Sequence, residues 1–230
     1  MRNLFLILPI ASLLIACGSD SGGSSSSPTI HMAQEEQVTD GEYLAVLRPL
    51  NTHISGYFPF GNAEIEVTGD DFKVVTYLDD DAQVTHIQSI HAGTRCPEAK
   101  DDSNGDGLVD INEAMAVVGK IVLPLDSDLS SQKAGEGEYP RGPSHTYTEE
   151  ASLTSIMEDL KNRTEEVPEH LMKLEDEQNL AIEGKVVLVL GASDRATLPE
   201  TVGAAFGLTP QGALPIVCGV IRQLEKPTTP

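Results

Sequence analysis

Six oxygen donors recur at fixed spacing in one twelve-residue stretch, DSNGDGLVDINE, which runs from Asp102 to Glu113. Side-chain carboxylates and one amide occupy alternate positions, Gly107 stands at the sixth position, and the seventh can offer its backbone carbonyl. A hard cation such as Ca²⁺ takes about six to eight oxygen ligands, and this spacing lets one short loop supply them. The predicted calcium ligands are Asp102, Asn104, Asp106, Leu108, Asp110 and Glu113.

Every position of this stretch fits the pattern D-x-[DN]-x-[DN]-G-x₅-E, and the loop resembles that of the EF-hand family. The apolar Val109 stands where such a loop places its hydrophobic anchor, and Glu113–Gly119 has the pattern of an exit helix. Gly93 and Pro97 precede the loop, so the entering helix should be missing or very short. The chain has one such loop where EF-hands usually come in pairs, so we expect an isolated calcium loop with a structural role and not a sensor. An acidic surface turn is the alternative.

The first residues have the composition of a targeting segment. Arg2 supplies a short basic region, and Leu4–Ala16 is an apolar run too short to span a bilayer as a helix. The run ends in LIAC, which resembles the bacterial lipobox, where cleavage precedes the cysteine and the thiol carries the lipid. We predict a signal peptide over 1–16, a lipidated Cys17 and a Ser/Gly-rich tether over 17–30. The alternative is an ordinary secretory signal with a cysteine nearby by chance.

The predicted location is the bacterial cell envelope, with the protein anchored by its N-terminal lipid. Gly18 stands where aspartate tends to retain a lipoprotein in the inner membrane, and this favours the outer membrane. The formal net charge of −21 repels nucleic acid and attracts cations, so we expect no nucleic-acid partner. The sequence names no protein or polymer partner.

The cysteine count points to one disulfide. If Cys17 carries lipid, only Cys96 and Cys218 remain, in an oxidising compartment. The simplest account pairs these two. Two separate buried thiols are the alternative.

Alternating and continuous apolar runs predict a mainly β chain. Residues 63–78 form a predicted hairpin around the turn residues Thr68–Asp71. The continuous apolar run at 184–190 predicts a buried strand, whereas the run at 84–91 divides its apolar residues between two faces. Further strands are predicted over 43–47 and 213–224.

Helical spacing interrupts the strands between about residues 148 and 182. Apolar residues at offsets of three and four predict an amphipathic helix over 148–164, and a second, more acidic helix over 168–180 could follow it. We therefore predict a helical insertion over about 148–182. Strands on both sides of long insertions favour an antiparallel sandwich over a parallel βαβ sheet.

Three further segments resemble the copper/zinc superoxide dismutase fold and its catalytically silent relatives, including the chordin-type domains. They are the last strand LPIVCGVI from Leu214, the segment HIQSIHAGTRC from His86 and the run GKVVLVLG from Gly184. The resemblance implies a Greek-key antiparallel β-sandwich over 31–224 that holds the EF-hand-like calcium loop, with Cys96 bridged to Cys218. Residues 225–230 are predicted to be a tail.

The resemblance also implies positions for copper ligands, and the sequence departs from the family there. The H-x-H position reads Ser89-Ile90-His91, and the V-V-H position ends in Leu190. A redox copper site needs several imidazoles, so we expect no dismutase activity and no catalytic residues. The sequence predicts a calcium-binding, lipid-anchored envelope protein of structural or binding role. The alternatives are a divergent metal-dependent, dismutase-like enzyme using His86 and His91, and a calcium-dependent adhesion or polymer-binding lipoprotein.

Overall fold

The computed structural model describes residues 38–52, 58–130, 137–163 and 169–225. The predicted signal peptide, Cys17 and the tether lie outside the described residues, as does the predicted tail apart from its first residue. Within the described ranges the chain is mainly β, as predicted, and its strands form one antiparallel sheet that curls into a half-barrel.

The described ranges hold nine strands: β1 Gly41–Pro49, β2 Phe60–Thr68, β3 Asp71–Asp79, β4 Gln88–His91, β5 Ile121–Pro124, β6 His145–Ser152, β7 Val186–Leu190, β8 Pro215–Val220 and β9 Arg222–Gln223. Their order along the sheet is β5-β4-β7-β8-β1-β2-β3-β6, and β9 pairs with β1. The last strands of the chain therefore return to the middle of the sheet, between β4 and β1.

Helical segments in the described ranges are short. They are the 3₁₀ turn Ala99–Asp101 and the helices α1 Ile111–Val118, α2 Leu153–Asn162 and α3 Pro210–Ala213. Helix α1 is the predicted exit helix of the loop. The segment directly before the loop forms only the short 3₁₀ turn, in agreement with the prediction that an entering helix is missing or very short.

The predicted hairpin is formed by β2 and β3. Thr68 pairs with Asp71 next to the turn, where Gly69 adopts a φ of +61° that glycine tolerates at little cost. Buried and exposed residues alternate along both strands. One face of the hairpin therefore packs on the core, which includes the fully buried Phe72, and the other faces solvent.

The apolar run at 184–190 becomes the buried strand β7, as predicted. Val187 and Val189 pack in the main core, whereas Val186, Leu188 and Leu190 pack in a second cluster that includes residues of α1. A strand that is covered on both faces needs apolar side chains at consecutive positions. This central strand therefore joins the core to the layer that carries the loop.

The start of the predicted helical insertion is wrong, because residues 145–152 form strand β6. The backbone of β6 pairs with β3 from His145 opposite Leu78 to Ser152 opposite Asp71. Among the described residues of the predicted insertion, only 153–162 form a helix, which begins where the Ser155 amide donates to the Ser152 hydroxyl at 3.2 Å.

The second predicted helix, over 168–180, is absent from the described residues 169–180. There the Ile121 amide donates to the His170 carbonyl at 2.8 Å, and the Met172 amide donates to the Ile121 carbonyl at 2.7 Å. The His170 carbonyl and the Met172 amide are thus bonded to the first residue of β5 and are not available for hydrogen bonds within a helix. Of the run at 84–91, which divides its apolar residues between two faces, residues 88–91 form β4.

Candidate functional site

The predicted calcium loop lies between the 3₁₀ turn and α1. Asp110 is the N-cap of α1, and one of its carboxylate oxygens accepts from the amides of Asn112 and Glu113 at 2.8 and 3.0 Å. Glu113 closes a capping box by accepting the Asp110 amide at 3.1 Å. The last two predicted ligands are therefore fixed by the first turn of the helix.

The side chains of the first half of the loop accept hydrogen bonds from the loop's own backbone. The two Asp102 oxygens accept the amides of Gly105 and Gly107 at 2.7 and 2.8 Å. Asn104 Oδ1 accepts the Asp106 amide at 2.8 Å, and Asp106 Oδ1 accepts the Leu108 amide at 2.9 Å. Gly107 has a φ of +90°, which meets the expected need for glycine at the sharp turn.

Glu113 folds back over the start of the loop. Its Oε1 accepts the Ser103 amide at 2.7 Å and the Ser103 hydroxyl at 2.8 Å, and it accepts the Asn104 amide at 3.2 Å. The loop is thus closed by its final carboxylate, which reaches across to its second and third residues.

The middle of the loop is anchored on the sheet by apolar side chains and by Asn51, which the sequence did not single out. Leu108 and Val109 are buried, as the hydrophobic-anchor prediction expected for Val109. Asn51 Oδ1 accepts the Val109 amide at 2.9 Å, and Asn51 Nδ2 donates to the Val109 carbonyl at 3.0 Å. The same Nδ2 donates to the Pro215 carbonyl at 3.0 Å, which ties the loop to the start of β8.

The four carboxylates of the loop form no ion pair among the described residues. The two cations that precede the loop in sequence pair with other carboxylates, Arg95 with Asp101 at 2.7 Å and Lys100 with Glu98 at 2.8 Å. A second residue that sequence reasoning missed, Thr201, donates its hydroxyl to Asp106 and lowers the pKa of that carboxyl. This hydrogen bond favours the charged form of the Asp106 carboxylate.

The predicted disulfide is present: Cys96 is bonded to Cys218, at a sequence separation of 122. Cys218 is buried in β8, where it pairs with Arg48 of β1 and Leu188 of β7. Cys96 stands six residues before Asp102. The bond thereby fixes the start of the loop segment to the middle of the sheet.

The three positions that the dismutase resemblance assigns to copper ligands lie around one cavity. Ser89 and His91 of β4 and Leu190 of β7 line this cavity, whose volume is about 350 Å³. We call it the apolar cavity, and its walls also include Ile111 and Met115 of α1. The segment of the chain that carries Glu113 thus forms part of the cavity wall.

Copper does not fit this cavity. Both ring nitrogens of His91 are engaged, since Nδ1 donates to the Gly119 carbonyl at 3.0 Å and Nε2 accepts the Ser89 hydroxyl at 2.9 Å. His86, the other histidine of the enzyme alternative, does not line the cavity and contacts His145 and Asp80 instead. The serine and the leucine supply no imidazole.

Burial lowers the pKa of His91 to about 4, and the nearby His170 acts in the same direction. Between about pH 4 and pH 6.5 the ring is therefore neutral in the folded protein, whereas in the unfolded chain, with an ordinary pKa of 6.5, it takes up a proton. Its contribution to stability is complete above pH 6.5 and is lost as the pH falls toward 4, which amounts to about 3 kcal/mol.

This linkage predicts that His91→Gln makes stability less sensitive to acid. The free energy of unfolding is measured with urea at pH 7 and at pH 4.5. The drop between the two pH values should be smaller in the variant than in the wild type, by about 2 to 3 kcal/mol. Wild type and variant with the same difference between the two pH values would contradict the assignment.

No family model matches the chain, and no curated protein matches it either. None of the helices in the described ranges is long and apolar enough to cross a membrane.

Proposed function

We propose that the protein is a calcium-binding, lipid-anchored component of the bacterial cell envelope, and that calcium has a structural role. The observation that carries the proposal is the uncompensated charge of the loop: four carboxylates within twelve residues, oriented by backbone amides and paired with no cation among the described residues. A bound Ca²⁺ would neutralise this charge and use oxygen ligands that the loop already concentrates.

Calcium binding requires one rearrangement. In the described part of the chain, no three or more His, Cys, Asp or Glu side chains are already gathered into a metal-binding group. Glu113 Oε1 is instead held by the Ser103 and Asn104 amides. The ion would draw Glu113 away from these amides and join both ends of the loop through the metal.

The N-terminal sequence supports the proposed anchor and location. The signal-like segment 1–16, Cys17 and the tether 17–30 would place the folded unit beside the membrane, and Gly18 favours the outer one. The disulfide fits an oxidising compartment. We also propose that the curled antiparallel sheet follows the Greek-key plan of dismutase-like proteins, because the convergence of Ser89, His91 and Leu190 on one cavity supports that alignment.

A calorimetric titration of the disulfide-bonded protein with Ca²⁺ tests the proposal. We expect one ion per chain, a dissociation constant of about 10⁻⁴ to 10⁻³ M, and a melting temperature that rises with calcium concentration. The absence of binding up to about ten millimolar, well above this range, would reduce the loop to an acidic turn.

The apolar cavity favours a second candidate function, the binding of an uncharged apolar small molecule. Its volume of about 350 Å³ lies within the range of ligand pockets, and no Asp, Glu, Lys or Arg is among the residues that line it. The polar residues of this largely apolar wall are Ser89, His91, Tyr139 and His170. Because α1 forms part of that wall, calcium could order the ligand site.

The neutral dye N-phenyl-1-naphthylamine can probe this candidate. Its fluorescence should rise on binding, and Phe206→Ala, which removes a ring from the cavity wall, should weaken binding about fivefold or more. Phe60→Ala is the matched control, because Phe60 is also exposed but lies on β2 outside the cavity. Equal affinity in the two variants would reject the cavity as the binding site.

A further inference from the structure

A group of polar side chains lies outside the calcium loop and is not part of the lining of the apolar cavity. Asp80 and His86 are buried, and His145 is half-buried. Asp80, His86 and His145 together contain five nitrogen and oxygen atoms that are buried and have no hydrogen-bond partner: Asp80 Oδ2 and both ring nitrogens of each histidine. The side chains of Asp80 and His86 have no exposed surface. Buried polar atoms without partners destabilise a fold, so their accumulation at one place calls for a ligand that satisfies them.

Three loops are joined by backbone hydrogen bonds to build this group. Asp80 follows β3, and its carbonyl accepts the Ser144 amide at 3.0 Å. The His86 amide donates to the Pro140 carbonyl at 2.9 Å, which brings the segment before β4 to the segment before β6. His145 is the first residue of β6 and pairs with Leu78. The side chains thus converge from rigidly connected positions.

The carboxylate is already oriented. Asp80 Oδ1 accepts the Ala82 amide at 2.8 Å, and this bond leaves Oδ2 directed at His86. The distance from Asp80 Oδ2 to His86 Nε2 is 3.2 Å, yet neither atom has a hydrogen-bond partner. Two ligand atoms on one tetrahedral zinc ion, each about 2.0 Å from the metal, are separated by about 3.3 Å.

The two imidazoles have a compatible spacing. The His86 and His145 ring centroids are 5.3 Å apart, and their planes differ by 26°. Two imidazoles on one tetrahedral ion have centroids roughly 5 Å apart. His86 and Asp80 therefore stand at ligand separation already. The three side chains do not yet surround one point, so metal binding requires the His145 ring to turn toward the other two.

We propose that Asp80, His86 and His145 form a binding site for a divalent first-row transition-metal ion of the zinc type. Two neutral imidazoles and one carboxylate are ligands of intermediate softness, which suit such an ion and not calcium. Three protein ligands leave a fourth position for water. These residues are not the positions that the dismutase resemblance assigns to copper.

The protonation states agree with this site. Burial lowers the pKa of His86 and of His145, and the nearby His86 lowers that of His145 further. Both shifts favour the neutral ring, which is the form of imidazole that coordinates a metal. Burial also raises the pKa of Asp80. A cation would reverse that shift and hold the carboxylate in its charged form. Carbonyls of Ala82, Gly142 and Leu190 lie near His86, but none meets it in hydrogen-bonding geometry.

Metal titrations of the chelator-treated, disulfide-bonded protein in excess calcium test the proposal. Excess calcium occupies the loop, so that zinc binding there is suppressed. We expect one Zn²⁺ per chain, and Co²⁺ should give the strong visible absorption of a four-coordinate ion, which Zn²⁺ then abolishes. His145→Ala and Asp80→Asn should each weaken Zn²⁺ binding at least about tenfold.

Two variants serve as controls. His170→Ala removes a histidine outside the group, and Glu113→Gln removes a calcium-loop carboxylate, so both should keep wild-type zinc affinity. The Co²⁺ spectrum of the wild-type protein needs no variant and tests the site even if a substitution prevents folding. The proposal is overturned by weak, six-coordinate cobalt absorption or by zinc affinity that His145→Ala and Asp80→Asn leave unchanged.

Discussion

Replacing Cys96 and Cys218 together by alanine is expected to lower the free energy of unfolding by about 4 kcal/mol. The disulfide joins residues 122 apart in sequence, and cross-linking so long a segment removes much of the entropy of the unfolded chain. Alanine leaves no unpaired polar atom at the buried Cys218 position. Urea unfolding followed by circular dichroism measures the change, since the chain contains no tryptophan to report by fluorescence.

Wild-type protein treated with a thiol reductant is the matched control, and it should unfold at nearly the same urea concentration as the double variant. Each single alanine variant should behave alike, because either one breaks the bond. If the free energy of unfolding falls by less than about 1 kcal/mol, the cross-link contributes little to stability and the prediction is wrong. Reduction should also weaken calcium binding, because Cys96 precedes Asp102 by six residues.

Glu113→Gln is expected to weaken calcium binding about a hundredfold, a prediction that rests on the proposed calcium site. Glu113 stands at the last ligand position, where an EF-hand-type loop places its bidentate carboxylate. Glutamine keeps an oxygen that can accept the Asp110 amide, so the start of α1 should survive. Calorimetry measures the affinity, and the calcium-dependent rise in melting temperature should largely disappear.

Glu158→Gln provides the comparison for that variant. Glu158 is an exposed residue of α2 and receives the same substitution outside the loop. It should bind calcium with wild-type affinity. If both variants bind equally well, the bound ion is held elsewhere on this acidic chain, and the loop assignment fails.

Local sequence determined the elements that depend on neighbours in the chain. The turn at Thr68–Asp71 has glycine and aspartate between two β-rich runs, and it closes the hairpin of β2 and β3 as predicted. The loop residues that could bind calcium lie within twelve positions of one another, so spacing alone identifies them. The disulfide was predicted by counting the cysteines and assuming an oxidising compartment, and the structure contains it.

Tertiary structure decided what depends on distant segments. Residues 148–152 have helical spacing but form a strand, because β3 offers a complete set of backbone partners along that edge. Asn51 is 58 residues from the loop residue that it contacts, and Thr201 is 95 residues from its own. A pattern of neighbouring residues in the sequence therefore cannot reveal either contact. The polar group of Asp80, His86 and His145 likewise exists only where three loops meet. Hydrogen-bond partners and burial are set by the folded arrangement, whereas ligand spacing and turn chemistry are properties of the chain itself.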